Sequence, residues 1–197
     1  MKLNEYKTLT DIANASLIMV KEKPIANLED SGEVENTIRN IIALVIANVQ
    51  NSLKWNELLE SDNLTLASTE TEDGWYKYHA PSGLLQIESI KAKNGAYSHP
   101  FKREGRYIYT PTANAVCKYY KKNYNPYEWS DELKECVIIA LSAKIATALT
   151  ADFNAGITLQ DIYDKRQKHE IRNVKHLKNE STPKKRKFGN WNIRKFR

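Results

Sequence analysis

The sequence contains little cysteine and little glycine: two cysteines and seven glycines in 197 residues. Cys117 and Cys136 lie far apart in different predicted elements, whereas a disulfide framework or a zinc site needs more numerous or more closely spaced cysteines. We expect both to be reduced and structural, as is usual in a cytoplasm. The glycines do not form a phosphate-binding GxxxxGK or GxGxxG loop, so nucleotide binding through such a loop is excluded.

The sequence also lacks the signatures of a catalytic or metal site. The four histidines are His79, His99, His169 and His176. No two of them are four residues apart with a glutamate between, and none has a cysteine nearby, so we predict no metal and no cofactor. Glu70, Glu72 and Asp73 would suit acid–base chemistry, but a solvated turn explains this cluster better. No serine lies in a nucleophile elbow, and we predict no catalytic residues and no enzymatic activity.

No segment has the pattern of a signal peptide or a membrane span. The longest apolar run, residues 133–153, is interrupted by Lys134, Glu135 and Lys144, whereas a span needs about 20 predominantly apolar residues. Its apolar residues recur every three or four positions on a broad stripe, which predicts a helix buried on more than one side. Residues 125–128 (Asn-Pro-Tyr-Glu) have the pattern of a helix start. We expect this core helix of a soluble domain to organise the fold.

Periodicity and capping patterns predict three further helices, over about residues 8–23, 30–54 and 158–178. The first begins at Thr8 with Asp11, the second at a capping box over residues 30–33, and Asn154-Ala155-Gly156 is expected to stop the chain before the last. Between residues 55 and 124 the period changes to short aromatic or β-branched runs separated by turn residues. This pattern predicts an antiparallel sheet of about four to six strands, with hairpins at Asn94-Gly95 and Glu104-Gly105.

The predicted fold class is therefore α+β: a four-helix bundle with an inserted small antiparallel β-sheet and an extended basic C-terminal tail. Residues 1–56 and 125–180 are predicted as the two parts of the helical bundle. Residues 57–124 are predicted as the inserted β subdomain, and residues 181–197 as a docking tail.

Charge is distributed unevenly along the chain. The formal net charge is +6, from 30 lysines and arginines against 24 aspartates and glutamates. Residues 181–197 contain seven of the basic side chains and none of the acidic ones, so residues 1–180 hold 23 basic against 24 acidic side chains. A nearly neutral body thus carries a strongly cationic tail.

The tail alternates cations with large apolar side chains. A solubilising tail does not need large apolar residues, which are costly to leave in water, whereas a docking segment uses them as anchors and directs its cations at acidic groups or phosphates. The predicted partner-docking residues are Lys184, Lys185, Arg186, Lys187, Phe188, Trp191, Ile193, Arg194, Lys195, Phe196 and Arg197. A tail folded back on its own body is the simpler alternative, and Pro183-Lys-Lys-Arg-Lys also matches a nuclear import signal.

A second basic and aromatic cluster lies at the end of the predicted sheet. Tyr119, Tyr120, Tyr124, Tyr127 and Trp129 are interleaved with Lys118, Lys121 and Lys122. Such a cluster would suit a stacking platform for single-stranded nucleic acid. We favour the alternative that the rings pack over the helix bundle, because aromatic residues at every second position are common in small sheets.

The order of these parts resembles a known family. Residues 21–30 (KEKPIANLED) lead into a long helix that ends in residues 53–56 (LKWN). The β region contains residues 76–81 (YKYHAP) and 105–110 (GRYIYT), and residues 119–122 (YYKK) precede a proline-containing turn and an alanine-rich helix. The arrangement is similar to the tail tubular protein A family of short-tailed bacteriophages, the head-to-tail adaptor ring.

The resemblance implies a structural virion protein without catalysis. It implies a homo-oligomeric ring of twelve copies between the portal protein and the tail nozzle or next ring protein, around a channel through which DNA passes without specific recognition. The helical bundle would line the ring, the β-insert would face the next tail component, and the C-terminal tail would dock onto the portal or a neighbouring subunit. The implied location is the virion neck, after assembly in the host bacterial cytoplasm.

Two rival hypotheses come from other classes of protein. One is a nucleic-acid-binding protein that uses the basic C-terminal tail on phosphates. The other is an enzyme with a dispersed site, which a pocket with convergent titratable groups would support.

Overall fold

The computed structural model of the chain describes residues 6–68 and 74–181, with side chains described as far as residue 170. Within these ranges the helices are α1 (Leu9–Met19), α2 (Glu33–Ser52), α3 (Asp131–Ala148) and α4 (Phe153–Ser181). The strands are β1 (Leu59–Asn63), β2 (Leu66–Ser68), β3 (Tyr76–His79), β4 (Leu84–Ala92), β5 (Lys102–Glu104), β6 (Tyr107–Thr110) and β7 (Ala115–Lys121). All of these strands lie between α2 and α3 in the sequence.

Helix α3 is the element on which the other described helices pack, since α1, α2 and α4 each contact it extensively. Twelve of its 18 residues are buried, which confirms the prediction of a helix covered on more than one side. The helix begins after Ser130, whose hydroxyl accepts a hydrogen bond from the backbone N–H of Leu133 at 3.2 Å. The predicted start at residues 125–128 is wrong, because Pro126–Glu128 form a separate 3-10 turn.

The starts of α1 and α2 differ in how well local sequence describes them. Thr8 and Asp11 form the expected reciprocal cap: the Thr8 hydroxyl accepts from the Asp11 N–H at 3.1 Å, and the Asp11 carboxylate accepts from the Thr8 N–H at 2.8 Å. Helix α1 ends at Met19, earlier than predicted, and Lys21 turns the chain with a φ of 63°. Helix α2 follows Gly32 without a side-chain cap, so the capping box predicted there is wrong.

Gly156 lies inside α4, so the predicted break at residues 154–156 is wrong. A Cβ atom at this position would lie 2.6 Å from Cγ2 of Thr147 and 3.3 Å from the carbonyl oxygen of Ala143. The glycine therefore lets the backbone of α4 approach α3 closely. The reversal between the two helices occurs just before it, where Ala151 takes a φ of 50°.

The strands form two antiparallel sheets. The first has three strands in the order β1-β7-β4, and the second has four strands in the order β2-β3-β6-β5. The predicted hairpin at Glu104-Gly105 is present between β5 and β6, with Gly105 at a φ of 57°. After Asn94-Gly95 the chain forms a single antiparallel bridge between Lys91 and Ser98, and not a full hairpin.

Strand β7 contributes to two separate cores. Its side chains alternate between the faces of the three-stranded sheet, as the twofold period of a strand requires. Tyr120 is buried in the helical core, together with residues of α1, α2 and α3. Cys117 and Tyr119 point the other way, into a β core that also contains Tyr78 of β3 and Ile108 of β6. The three-stranded sheet is thus the layer between the helices and the four-stranded sheet.

The predicted four-helix bundle with one small inserted sheet is wrong. The described part of the chain has four helices and two antiparallel sheets, in a mixed α+β arrangement. The three-stranded sheet is not an appendage, because Tyr120 is buried in the helical core and Leu59 and Leu85 pack against that core. The helices do not form a regular bundle, since α1, α2 and α4 pack chiefly on α3.

Candidate functional site

Apart from Ser181, which ends α4, the predicted docking tail lies outside the described residues. This holds for Lys184, Phe188, Trp191 and every other docking residue named above, and it also holds for the acidic cluster at Glu70. The candidate surfaces that follow are therefore on the body of the protein, between residues 6 and 170.

The aromatic cluster at residues 119–129 is mostly interior. Tyr119, Tyr120 and Trp129 have only 1%, 4% and 3% of their surface exposed. Trp129 donates its indole N–H to the carbonyl oxygen of Asn123 at 3.2 Å. Tyr120 and Trp129 pack in the helical core, as the sequence leads us to expect, whereas Tyr119 packs in the β core. These three rings leave no shared face for bases. Tyr124 and Tyr127 are 43% and 68% exposed, so the cluster as a whole does not pack over the helices.

A different set of aromatic rings lies on the outer face of the four-stranded sheet. Lys77 of β3 is opposite Tyr109 of β6, and Lys102 of β5 is opposite Tyr109 from the other side. The ammonium of Lys77 lies 4.1 Å from the ring centroid of Tyr107 and 5.9 Å from that of Tyr109. The ammonium of Lys102 lies 5.1 Å from the ring centroid of Tyr109 and 5.9 Å from that of Trp75.

Arg106 extends this series, since its guanidinium carbon lies 5.4 Å from the ring centroid of Tyr107. We call the whole set the cation–aromatic ladder: Arg106, Tyr107, Lys77, Tyr109, Lys102 and Trp75. Glu104 pairs with Lys102 at 3.5 Å, and the ladder contains three cations, Arg106, Lys77 and Lys102. Tryptophan, tyrosine and arginine are the residues that most often dominate binding energy at protein interfaces, and the local charge suits an acidic partner surface.

Sequence reasoning identified the two strands of the ladder but not their pairing. Residues 76–78 (YKY) and 106–109 (RYIY) each alternate a tyrosine with another side chain. Their cations and rings meet only because β3 pairs with β6, which are separated by β4 and β5 in the sequence. The signal in the sequence that could have indicated the ladder is the alternation of tyrosines in these two strands, with Lys77 and Arg106 next to them.

A polar cleft of about 400 Å³ lies beside the β1–β7 pair. The hydroxyl of Tyr119 donates to the Asp62 carboxylate at 2.7 Å, and Lys121 pairs with Glu60 at 3.1 Å. Burial, reinforced by its hydrogen bond and proximity to Asp62, raises the pKa of Tyr119, so the phenol keeps its proton and acts as a donor. This network ties β1 to β7 and is a structural explanation for the cleft's polar groups.

An apolar groove of about 530 Å³ runs over α3 between α1 and α4. Ile138 and Ile139 of α3 lie along it and are nearly buried, at 6% exposure each. Ile18 and Met19 of α1 and Ile162 of α4 also line it, and they are 55%, 42% and 43% exposed. A groove lined by side chains of this size is a surface at which a partner would bury apolar area.

The opposite side of α4 faces α2. A smaller cavity of about 190 Å³ lies there, with Asn48 and Gln160 among its lining residues. Leu44 is one turn before Asn48 and is 63% exposed, while Phe153 and Ile157 on α4 are 66% and 63% exposed. We call Leu44, Phe153 and Ile157, with this cavity, the α2 flank.

The cysteines occupy the separate elements that the sequence predicts, Cys117 in β7 and Cys136 in α3, and both are free and buried. Burial raises the pKa of each thiol to about 12, so neither is a thiolate near neutral pH. Over the described ranges, no group of three or more histidine, cysteine, aspartate or glutamate side chains is placed to hold a metal ion.

No helix in the described part of the chain is both long enough and apolar enough to cross a membrane. Comparison with protein-family models and with curated proteins finds no match to this sequence.

Proposed function

We propose that this protein is the head-to-tail adaptor subunit of a short-tailed bacteriophage, a structural protein without catalytic activity. Copies of it would form a ring, with twelve as the expected number, between the portal and the tail nozzle or next ring protein. DNA would pass through the ring without specific recognition. The mature protein would be found in the neck of the virion, after assembly in the host bacterial cytoplasm.

The observation that carries this proposal is that contact surfaces of different character lie on opposite layers of the body. The helical layer exposes large apolar residues on two sides of α4, which suits packing between copies. The four-stranded sheet lies beyond the three-stranded one and presents the cation–aromatic ladder, which suits a different protein with an acidic surface. A ring subunit between two other assemblies needs such a separation of lateral and axial contacts.

The C-terminal tail would supply the third contact, with the portal or a neighbouring subunit. It follows directly on α4, a helix of 29 residues, which by itself is about 43 Å long. Phe188, Trp191 and Phe196 would serve as the anchors of this contact. The cations between them would then meet acidic groups on the partner.

Deletion of residues 181–197 tests the proposal. We expect the shortened chain to keep its far-UV circular dichroism and its melting temperature, and to lose attachment to rings of the cognate portal protein in a pull-down or by negative-stain electron microscopy. Trp191→Ala should weaken attachment, while Asn190→Ala, next to it, serves as the control. Normal attachment of the shortened chain would refute the docking role of the tail.

A nucleic-acid-binding protein that uses the tail is the second candidate, favoured by the seven cations without a single carboxylate in residues 181–197. If all of these cations met phosphates of duplex DNA, the logarithm of affinity would fall with the logarithm of salt concentration with a slope of about −6. A much flatter dependence, with loss of binding in Trp191→Ala, would favour a protein groove. Binding of duplex DNA with the steep slope, and no portal binding, would favour the second candidate.

A further inference from the structure

The cation–aromatic ladder lies on the outer face of the four-stranded sheet, where a partner can reach it. The strand register places Lys77, Tyr109 and Lys102 in one row across β3, β6 and β5. Tyr107 is two residues before Tyr109 on β6 and therefore shares its face. Tyr78, which follows Lys77, points into the β core instead. Apart from contacts within this sheet, no other described helix or strand makes extensive contact with β3, β5 or β6.

Two of the three cations of the ladder have no carboxylate partner in the described part of the chain. Lys102 pairs with Glu104 at 3.5 Å, whereas no described carboxylate lies within 4 Å of Lys77 or Arg106. Both unpaired cations lie against the same ring, since the Lys77 ammonium is 4.1 Å and the Arg106 guanidinium carbon 5.4 Å from the centroid of Tyr107. Like charges held this close repel each other, and an anion bound beside them would relieve the repulsion.

The positions of the cations favour a carboxylate over a stacked base. The ammonium of Lys77 lies over the ring of Tyr107 and so occupies a face on which a base would stack. A carboxylate needs only N–H donors, and a lysine ammonium has three of them, which a contact with a ring leaves available. The ladder therefore fits an acidic protein segment better than single-stranded nucleic acid.

The spacing of the ladder matches that of an extended chain. Tyr107 and Tyr109 are two residues apart on β6, so their Cα atoms are about 7 Å apart. Arg106 lies at Tyr107, and Lys77 lies within 6 Å of the centroids of both rings. Lys102 lies at Tyr109, at 5.1 Å. Every second side chain of an extended segment leaves the same side at the same spacing of about 7 Å, so carboxylates at alternate residues would meet successive cations.

We propose that the cation–aromatic ladder binds an extended acidic segment of another protein, with a carboxylate at every second residue. The inference rests on the proposed function, which gives this sheet a different protein as its partner, and it names the chemistry of that contact. The carboxylates accept hydrogen bonds from Arg106, Lys77 and Lys102, while each cation keeps its contact with a ring. Residues 181–197 of this chain contain no acidic side chain and so cannot be the segment.

The test uses the full-length chain and three fluorescein-labelled peptides of equal length. In the first peptide glutamate alternates with serine, in the second the same residues are rearranged into one block of each, and in the third glutamine replaces glutamate. A water-soluble carbodiimide takes up the water released when a carboxylate and a lysine ammonium in direct contact form an amide. Mass spectrometry of the products then identifies the lysines that the glutamates touch, and fluorescence anisotropy measures affinity.

We expect the alternating peptide to cross-link to Lys77 and Lys102, about two- to fivefold more than the block peptide does, and the glutamine peptide not to bind. Arg106→Gln leaves every lysine in place, yet it should lower the cross-link yield at Lys77 and the affinity by about two- to fivefold. Lys165→Gln, at an exposed position on α4, removes the same charge from the helical layer and is the control. Melting temperatures verify that both variants are folded.

The proposal is overturned if the cross-links are confined to the lysines of residues 184–195, if Arg106→Gln behaves as the control does, or if the alternating and block peptides cross-link equally. A thymidine oligonucleotide whose affinity falls more than that of the peptide in Arg106→Gln would make nucleic acid the occupant. Binding of the peptide only after Glu70→Gln, Glu72→Gln and Asp73→Asn are combined would make the chain's own acidic residues the occupant. Either outcome would also overturn the proposal.

Attachment to portal rings, measured separately, distinguishes this inference from the adaptor proposal. Arg106→Gln should attach as wild type does, because attachment is assigned to the C-terminal tail. Normal attachment without cross-links at the ladder would reject the acidic segment alone. The expected cross-links in a chain that does not attach to portal rings would reject the adaptor and leave the ladder as a binding site for acidic segments.

Discussion

Replacing Gly156 by alanine tests how closely α4 is held against α3. In an exposed helix this substitution would stabilise the protein by about 1 kcal/mol, because alanine has the higher helix propensity. Here the new Cβ would lie 2.6 Å from Cγ2 of Thr147, a contact that cannot persist without movement. Thr147 is β-branched, and its hydroxyl donates to the carbonyl oxygen of Lys144 at 2.9 Å, so rotating the methyl away also displaces the hydroxyl.

The two effects oppose each other, and their magnitudes decide the sign. Overpacking of this kind costs about 1–3 kcal/mol, which exceeds the propensity gain. We therefore expect Gly156→Ala to lower the free energy of unfolding by about 1 kcal/mol, and the melting temperature by about 2–4 °C for a chain of this size. Urea unfolding followed by far-UV circular dichroism, at a concentration where the chain is monomeric, measures the change.

Thr147→Ser provides the matched background, because serine keeps the hydroxyl and lacks Cγ2. In that background Gly156→Ala should be neutral or stabilising, since the carbonyl oxygen of Ala143 at 3.3 Å is then the closest remaining neighbour. The expected coupling between the two positions is about 1–2 kcal/mol. If Gly156→Ala were stabilising to the same extent in both backgrounds, the close approach of the helices would not be the reason for the glycine.

Three further predictions concern the cap, the ladder and the thiols. Thr8→Ala removes the acceptor for the first turn of α1 and should cost about 1 kcal/mol in urea unfolding, with Thr8→Ser close to wild type. Lys77→Gln removes the cation nearest Tyr107 and should lower the free energy of unfolding by about 0.5–1 kcal/mol. Lys77→Arg keeps the cation and should largely avoid this loss. The thiol pKa values of Cys117 and Cys136 are raised from 9.0 to about 12, so between these values the folded state holds more protons than the unfolded state. The free energy of unfolding should therefore fall as pH rises through that window. Urea unfolding at several pH values should show a less steep fall in Cys136→Ser, which lacks one of the two thiols.

Local sequence predicted the elements whose ends are set by neighbouring residues. The start of α1 at Thr8 was predicted because a capping box is completed within four residues. The burial of α3 was predicted because its apolar stripe covers more than half of the helix surface. Both features depend on residues that are close in the chain, and both are present.

The errors come from contacts between residues that are distant in the chain. Gly156 has the composition of a helix stop, but its place inside α4 depends on Thr147 of another helix. Residues 125–128 resemble a helix start, but Trp129 turns into the helical core and Ser130 caps α3 instead. The cation–aromatic ladder was missed for the same reason, because its cations and rings are brought together by the pairing of β3 with β6.

Because β7 contributes side chains to two cores, its length is constrained more strongly than its composition. Tyr119 and Tyr120 are adjacent in sequence, yet one is buried in the β core and the other in the helical core. An insertion or deletion of a single codon within β7 would exchange the faces of every residue beyond it, and so would misdirect side chains in both cores at once. Substitutions that preserve size should be tolerated in this strand. Length variation should be confined to turns such as the one at Gly105, where an added Cβ would meet no neighbour within 4 Å.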